Sequence, residues 1–332
     1  PAVDNATLLK LYGLHKRATA GVCEEEKPGM LAGMKARYKW DAWHALNAIS
    51  ADEAAQQYAA VVDSLVGPAG DADAVPQGDL LRDVDEDGVL TLTLNRPKRF
   101  NALNWDLFQE VPASLRDAAG DGAVRAVVMT GAGPLFSSGN DLGNFALPLE
   151  AAAAEEAAVI LEAFVNAFIE FPKPMFAAVN GPAVGIAMTV LAHFDAVYAL
   201  PHAYFQTPFT KLGQSPEACS SVLFPRIMGP AVANQVLMFN KKLTAFEARD
   251  AGLVGEVVPD KAALLTTVQG AARAAARLPP GSMAATRRLI RGDTGALKAT
   301  NRAECDVLRE RWVSEECNNA LAAFAARSKK SK

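Results

Sequence analysis

Apolar positions change their spacing along the chain, and each change marks a new kind of element. From Thr7 to Thr19 (TLLKLYGLHKRAT) they recur at i, i+3 and i+4, and the pattern returns in Lys39 to Leu46 (KWDAWHAL) and Asp52 to Leu65. That spacing lines one face of a helix, so three helices are expected, the third opening behind Ser50 as N-cap. Between residues 67 and 79 the period disappears into GPAGDADAVPQG, the Gly, Pro, Ala and Asp content of a flexible connector. The chain therefore divides into a small all-α module, residues 1–66, and a larger unit, residues 80–332.

The larger unit opens with two short alternating runs around Asp87-Gly88, the pattern of a β-hairpin. Helical and strand patterns then alternate: Trp105 to Ala119, Ala123 to Thr130, Ala151 to Glu170, Met175 to Val179, a helix from Gly185, Ala196 to Leu200, and Tyr204 to Thr207. Such alternation predicts an α/β layer fold. The last stretch, 261–332, reads as mostly helical and rich in Ala and Arg, with a break at Pro279-Pro280.

Composition narrows the function classes. The 332 residues are 50% hydrophobic and 21% charged, enough to bury a sizeable core in two domains. A net charge of -4 gives no general attraction to nucleic acid or to an anionic membrane. The most apolar run, Met175 to Leu200, is interrupted by Asn180, Gly181, Pro182, His193 and Asp195, so it reads as strand, turn and helix, not as a membrane span. Cys23, Cys219, Cys305 and Cys317 show neither a CxxC nor a Cys/His metal spacing, and reduced thiols without a metal are expected.

Candidate chemistry lies in three glycine-bearing stretches and one acid. In NRPKRFNALN (Asn95 to Asn104), Lys98 and Arg99 sit on a loop, either as a solvated turn or as a contact for phosphate. In LFSSGNDLGNF (Leu135 to Phe145), Gly139 permits a tight backbone path that can aim the next N–H at a ligand oxygen. In AVNGPAVGIAMTVLAHFDAVYA (Ala178 to Ala199), a helix starts near Gly185, and its free N–H groups favour a developing anion. In LGQSPEACSS (Leu212 to Ser221), Glu217 follows Pro216 among small and apolar residues, as an ordinary first-turn acid or as a base.

Two resemblances connect these pieces. YGLHKRAT, KPGMLAGMKARYKWDAW and DEAAQQYAAVV, in that order, resemble the acyl-CoA-binding protein family. The resemblance implies that Tyr12, Lys16, Lys39 and Tyr58 hold acyl-CoA, with the lysines facing phosphate and Tyr12 near adenine; Gly13, Leu14 and His15 belong to the same contact stretch. His15 replaces the family's usual second tyrosine, and Pro1 stands just before the family's second helix, so a module lacking its first helix is expected.

NRPxxxNAL, FSSGxDL, AVNGxAxG and FDxxYA resemble the crotonase (enoyl-CoA hydratase/isomerase) superfamily over about residues 80 to 290. This implies a spiral of ββα units with a C-terminal helical region used for oligomerisation, as a homotrimer or dimer of trimers. It also implies a CoA thioester whose carbonyl oxygen lies between the backbone N–H groups of Asn140 and Ile186. Ser138, Gly139, Asn140, Asp141, Leu142, Lys98 and Arg99 would contact the acyl-CoA. CoA arrives as part of the substrate, so no separate cofactor is implied.

Within that superfamily the first hydratase acid position carries Thr189 and the second Phe209, which disfavours hydration and the mitochondrial-type isomerase. LGQSPEACSS, FPRIMGP, KKLTAFEA and AECDVLRERWVSEECNNA are similar to the peroxisomal Δ3,Δ2-enoyl-CoA isomerases, which also join an acyl-CoA-binding module to a crotonase domain. That branch implies fatty-acid β-oxidation, with Glu217 as the one base moving a proton from C2 to C4 of a 3-enoyl-CoA. The branch implies a peroxisomal location, with a mitochondrial one as the alternative; KKSK would become a Ser-Lys-Leu address only with one further leucine and by itself reads as an ordinary basic terminus. Competing readings are an acyl-CoA carrier with an inactive crotonase domain, a dienoyl-CoA isomerase, a hydratase and a thioester hydrolase. A dienoyl-CoA isomerase would want a second acid near Glu217, which LGQSPEACSS does not supply. His193 reads as a core or interface histidine, and Cys219 and Cys305 as packing.

Overall fold

A computed structural model describes residues 5–29, 33–66, 78–144 and 147–330. It separates into two compact units, Pro1–Pro76 and Gln77–Lys332. Most of the expected connector, residues 67–77, lies outside the described residues.

The first unit contains α1 (Asn5–Ala20), α2 (Met34–His44) and α3 (Ala51–Val66), with α1 packed against both of the others. Leu14 is fully buried there, and the Trp43 indole, also buried, donates its N–H to Gly21 O at 3.0 Å. The N-cap predicted at Ser50 is reciprocal: Ser50 Oγ accepts from the Glu53 N–H, and the Glu53 carboxylate accepts from the Ser50 N–H. Helix α2 begins five residues before the predicted Lys39. Apolar spacing is weak in Met34–Tyr38, where the start follows Gly33, held at φ 83°.

The second unit is built on a six-stranded sheet with β1 (Leu80–Val84), β2 (Val89–Leu94), β3 (Ala126–Gly131), β4 (Met175–Val179), β6 (Ala196–Ala199) and β9 (Glu256–Val257) side by side in that order. Only β1 runs antiparallel, closing the hairpin read at Asp87-Gly88. A smaller sheet joins β5 (Ala183–Val184), β7 (Tyr204–Gln206) and β8 (Leu243–Thr244). Side chains alternate across the central strands with period two. Val89, Val128, Phe176 and Ala178 face α9 (Lys261–Ala276), packing on its Leu264, Val268 and Ala272. Leu90, Leu92, Val127, Met129, Ala177 and Val179 join the other core, with α4 (Trp105–Gly120) and α5 (Ala151–Glu170). The α/β layering expected from the alternation of patterns is present.

Two predicted elements are shorter than expected. The strand begins at Ala126, not Ala123, because Asp121 turns back to accept the Ala123 N–H at 2.8 Å. The helix from Gly185 is only α6 (Ile186–Thr189), which tightens into a 3-10 turn through His193 before Asp195 accepts the Met175 N–H. After α7 (Ser220–Leu237) and α8 (Ala245–Asp250), the chain ends in α9, α10 (Pro280–Arg291), α11 (Thr294–Trp312) and α12 (Glu315–Lys330). Pro280 opens α10, where its missing N–H costs nothing, and α11 lies along α5. Among the described residues no helix is long and apolar enough to cross a membrane.

The parallel strands β2, β3, β4 and β6 deliver their connecting loops to one edge of the sheet, the edge where ligands of open α/β sheets bind. Asn101 ties those loops together. Its buried side chain accepts the Arg96 N–H at 2.9 Å and donates to Ala132 O and Leu135 O at 2.8 and 2.9 Å, while its carbonyl accepts from Ser137 Oγ at 2.7 Å. Asn101→Ala leaves buried polar groups without partners and should lower stability by about 3 kcal/mol, read as a shifted urea midpoint at unchanged slope.

Candidate active site

The loop after β3 meets the loop after β4 through backbone pairing. Ser137 and Ala183 form a parallel bridge, with the Ser137 N–H on Pro182 O at 3.2 Å and the Val184 N–H on Ser137 O at 3.0 Å. On its other side the same loop pairs with Leu103, whose N–H binds Gly139 O and whose carbonyl accepts the Asp141 N–H. Those bonds involve the residues on either side of Asn140, so the Asn140 N–H points away from Leu103. Gly139 is required here: its φ is 86°, and a β-carbon would lie 2.6 Å from Val184 O. At α6, the Met188 and Thr189 N–H groups both use Gly185 O. Among the described residues, the Asn140 and Ile186 N–H groups have no hydrogen-bond acceptor, and each is free to meet a ligand oxygen.

Arg96 and Asp141 brace this loop. The guanidinium lies 2.9 Å from Asp141 Oδ2 and 3.1 Å from Asp79 Oδ2, and also donates to Ala102 O. Burial alone would raise the Asp141 carboxyl, but the Gly143 N–H and the Arg96 charge outweigh it and hold it below the usual range. Asp141, expected among the acyl-CoA contacts, thus spends its carboxylate on the protein's own framework. Asn144 adds a further brace, donating to Leu103 O and to Asn140 Oδ1.

Glu217 enters from a third segment, on the turn that starts α7. Ala218 and Cys219, which follow it, both adopt the left-handed conformation, with φ 57° and 60°. For residues with a β-carbon this costs about 1–2 kcal/mol each, and surrounding contacts must hold it. Ser220 caps Glu217 O through its N–H and its hydroxyl, at 3.1 and 2.6 Å. His193 Nε2 donates to Ala218 O at 3.0 Å. The Glu304 carboxylate on α11 accepts the Cys219 N–H at 2.6 Å on one oxygen and the Ser221 N–H at 2.9 Å on the other.

The Glu217 side chain points back toward α6: a β-carbon built on Gly185 would come 3.9 Å from Glu217 Oε1. The residue keeps partial exposure, yet its carboxyl sits deep in the protein. Burial first, and the Glu304 carboxylate second, push its pKa up to about 8. His193 moves the other way, to about 4, because burial outweighs the Ala218 carbonyl and because Arg291 and Arg287 lie behind it. It is a neutral hydrogen-bond donor, as the core reading expected. Burial raises the thiols of Cys219, to about 12, and of Cys305 and Cys317, so none is an activated nucleophile.

Thr189 is fully buried, its hydroxyl turned to Gly185 O and Ile186 O, and Phe209 packs in the core. Lys98 and Arg99 are exposed on a short 3-10 turn, Leu142 is exposed and Ser138 is partly buried beside Asn140. In the helical module, the Lys39 ammonium lies 4.7 Å from the Tyr12 ring centre and Lys16 lies 4.8 Å from that of Trp43, while His15 and Tyr58 stand 6.1 Å apart. Gly13 is where α1 crosses α2, since a β-carbon there would lie 2.2 Å from Ala42 O; with the buried Leu14 it builds the module's interior. No group of His, Cys, Asp and Glu among the described residues could hold a metal.

Sequence reasoning missed Glu304. It lies 87 positions after Glu217, yet a signal existed: Asn301, Glu304, Cys305, Leu308 and Trp312 form the buried stripe of α11, and an acid on such a stripe needs a partner. The expectation that no second acid lies near Glu217 holds for the decapeptide and fails in space.

Residues 85–331 match the enoyl-CoA hydratase/isomerase family and residues 1–62 the acyl CoA binding protein family. Enoyl-CoA delta isomerase 2 of Rattus norvegicus is 45% identical, over 98% of this chain and 85% of that protein. Enoyl-CoA delta isomerase 3, peroxisomal, of Mus musculus is 40% identical, over 92% of this chain and 99% of that protein. A solved enoyl-CoA hydratase/isomerase from Pseudoalteromonas atlantica superposes with TM-score 0.70 at 37% identity, over 75% of this chain and 98% of its own. With the crotonase fold in place, the chain belongs to the enoyl-CoA hydratase/isomerase family and carries an acyl-CoA-binding protein module ahead of the family domain.

Proposed function

We propose that the protein isomerises 3-enoyl-CoA, cis or trans, to trans-2-enoyl-CoA, with Glu217 as the single proton carrier. The observation that carries this is the deep Glu217 carboxyl set opposite the α6 turn, where an N–H is free. The delta-isomerase relatives, matched along nearly the whole chain, support the same reaction. Glu217 takes a proton from C2, the electron pair moves into a dienolate, and its oxygen rests between the Asn140 and Ile186 N–H groups. Protonated Glu217 then returns the proton to C4 while the double bond settles between C2 and C3. Each N–H donor is worth about 2.7–4 kcal/mol at the transition state, by the measured size of such contacts. A carboxyl with pKa about 8 suits both halves of the task, because it must give the proton back as readily as it takes it.

Glu304 is the one observation that favours a two-acid reaction such as dienoyl isomerisation or hydration. Both of its oxygens already accept backbone N–H bonds, which leaves it committed to the turn. Thr189 and Phe209 supply no acid either. We further propose acyl-CoA binding by Tyr12, Lys16, Lys39 and Tyr58 in the helical module, a trimeric assembly, and a peroxisomal location, the last supported by the murine relative's name.

Glu217→Gln should lower kcat for 3-hexenoyl-CoA by about 100- to 10,000-fold, followed as ultraviolet absorbance of the conjugated thioester; near-normal turnover would refute the assignment. In the native protein kcat/KM should rise with pH through a limb near 8, since the ionised form is the base. Stability should run the opposite way. A carboxyl whose folded pKa is raised favours folding below its unfolded value near 4.5 and loses that contribution as pH climbs through about 8. The Tm advantage of Glu217→Gln over the native protein should therefore grow between pH 5 and pH 8.5.

A further inference from the structure

We propose that Glu304 is the positioning residue for Glu217: its two carboxylate oxygens hold the left-handed Ala218–Cys219 turn that aims the base at the substrate. This rests on the reading of Glu217 as the base. The turn's own bonds, from the Ser220 N–H and hydroxyl to Glu217 O, leave the Cys219 and Ser221 N–H groups to be met from elsewhere. Two consecutive residues with β-carbons stand at φ 57° and 60°, and the N–H groups of Cys219 and Ser221 open α7 without a side-chain cap of their own. Glu304 meets both N–H groups, one per oxygen, at 2.6 and 2.9 Å. It is buried and comes from α11, which is packed along α5, so the turn is referred to a rigid element and not to its own loop. Short charge-assisted bonds of this kind have the directionality that positioning requires.

A carboxylate is an unexpected choice for the task if support alone were needed. It stands beside a second carboxyl, and the like charge raises the proton affinity of Glu217. The other titratable groups around the turn carry no charge that would do this. Cys219 on the turn and Cys305 on α11 are thiols held protonated by burial, and His193 is neutral, with Arg291 of α10 donating to its backbone carbonyl. Glu162 on α5 acts on Cys305. Glu304 thus serves two ends with one group: its geometry aims Glu217, and its charge adds to burial in raising the pH at which Glu217 ionises.

The two ends separate by mutation. Glu304→Gln keeps the length but removes the charge and one acceptor, whereas Glu304→Asp keeps the charge and shortens the reach. Both are compared with the native full chain and with Glu217→Gln, using pH profiles of kcat and KM on 3-hexenoyl-CoA. For Glu304→Gln the limb should move to lower pH by roughly one unit, the scale of a neighbouring charge, with kcat lower by of order tenfold. For Glu304→Asp the limb should stay while kcat falls at nearly constant KM, as expected for a misplaced catalytic group. Should Glu304→Gln fail to fold, Glu304→Asp decides alone, and native kcat in that variant overturns the proposal. In a folded Glu304→Gln, with Glu217→Gln inactive, native kcat overturns the positioning role and an unmoved limb overturns the charge effect, each leaving the base in place. Turnover retained in Glu217→Gln overturns the base assignment itself and this proposal with it.

Discussion

A carboxyl is kept deep in the protein beside a second carboxyl, with no cation paired to it among the described residues, and much of the second unit is arranged around that constraint. Glu217 and Glu304 both lose water, and burial raises both. Glu304 recovers part of the loss from two backbone N–H groups. Among the described residues no donor meets the Glu217 carboxyl, which responds by holding its proton up to about pH 8. An ordinary structural acid would have been given an arginine, as Asp141 was given Arg96. The contrast between these carboxyls, one satisfied and one held protonated to about pH 8, is the chemical signature of the site.

The remaining parts answer to the same demand for fixed geometry. The loops after β2, β3 and β4 carry Arg96, Asn140 and Ile186 to one sheet edge, and Asn101 and Asn180 stitch them together: the Asn180 side chain accepts the Gly131 N–H and donates to Gly133 O and Leu135 O. From the other direction α11 brings Glu304 and the 3-10 turn after α6 brings His193, so the acid turn is gripped on two sides. Backbone N–H groups such as those of Asn140 and Ile186 cannot be re-aimed by a rotamer. Their placement is a property of the scaffold, and the scaffold is accordingly hydrogen-bonded at each step.

Much of the scaffold was legible because its signals are local. Period-two alternation in β2, β3 and β4 and the apolar face of α1 and α3 follow from which side each side chain must bury, and Ser50 announces its helix by a hydrogen bond three residues long. Gly139 was legible too, since only glycine accepts its conformation next to Val184. What stayed hidden depends on distance in sequence. The pairing of the Asp141 carboxylate with Arg96, 45 positions earlier, is not visible in either segment. Gly13 reads as part of a binding stretch, and its close approach to Ala42 O of α2 shows only in three dimensions. The Glu304 contact joins residues 85 positions apart, and no periodicity in either segment encodes the pairing.

The central claim is that one shielded carboxyl carries a proton from C2 to C4. The most direct measurement uses a 3-enoyl-CoA deuterated at C2 and follows the label in the 2-enoyl product by mass spectrometry and NMR. Deuterium recovered at C4, above the level set by solvent exchange, is the result predicted for transfer by Glu217. Complete loss of the C2 label to water, with solvent hydrogen alone at C4, would contradict it.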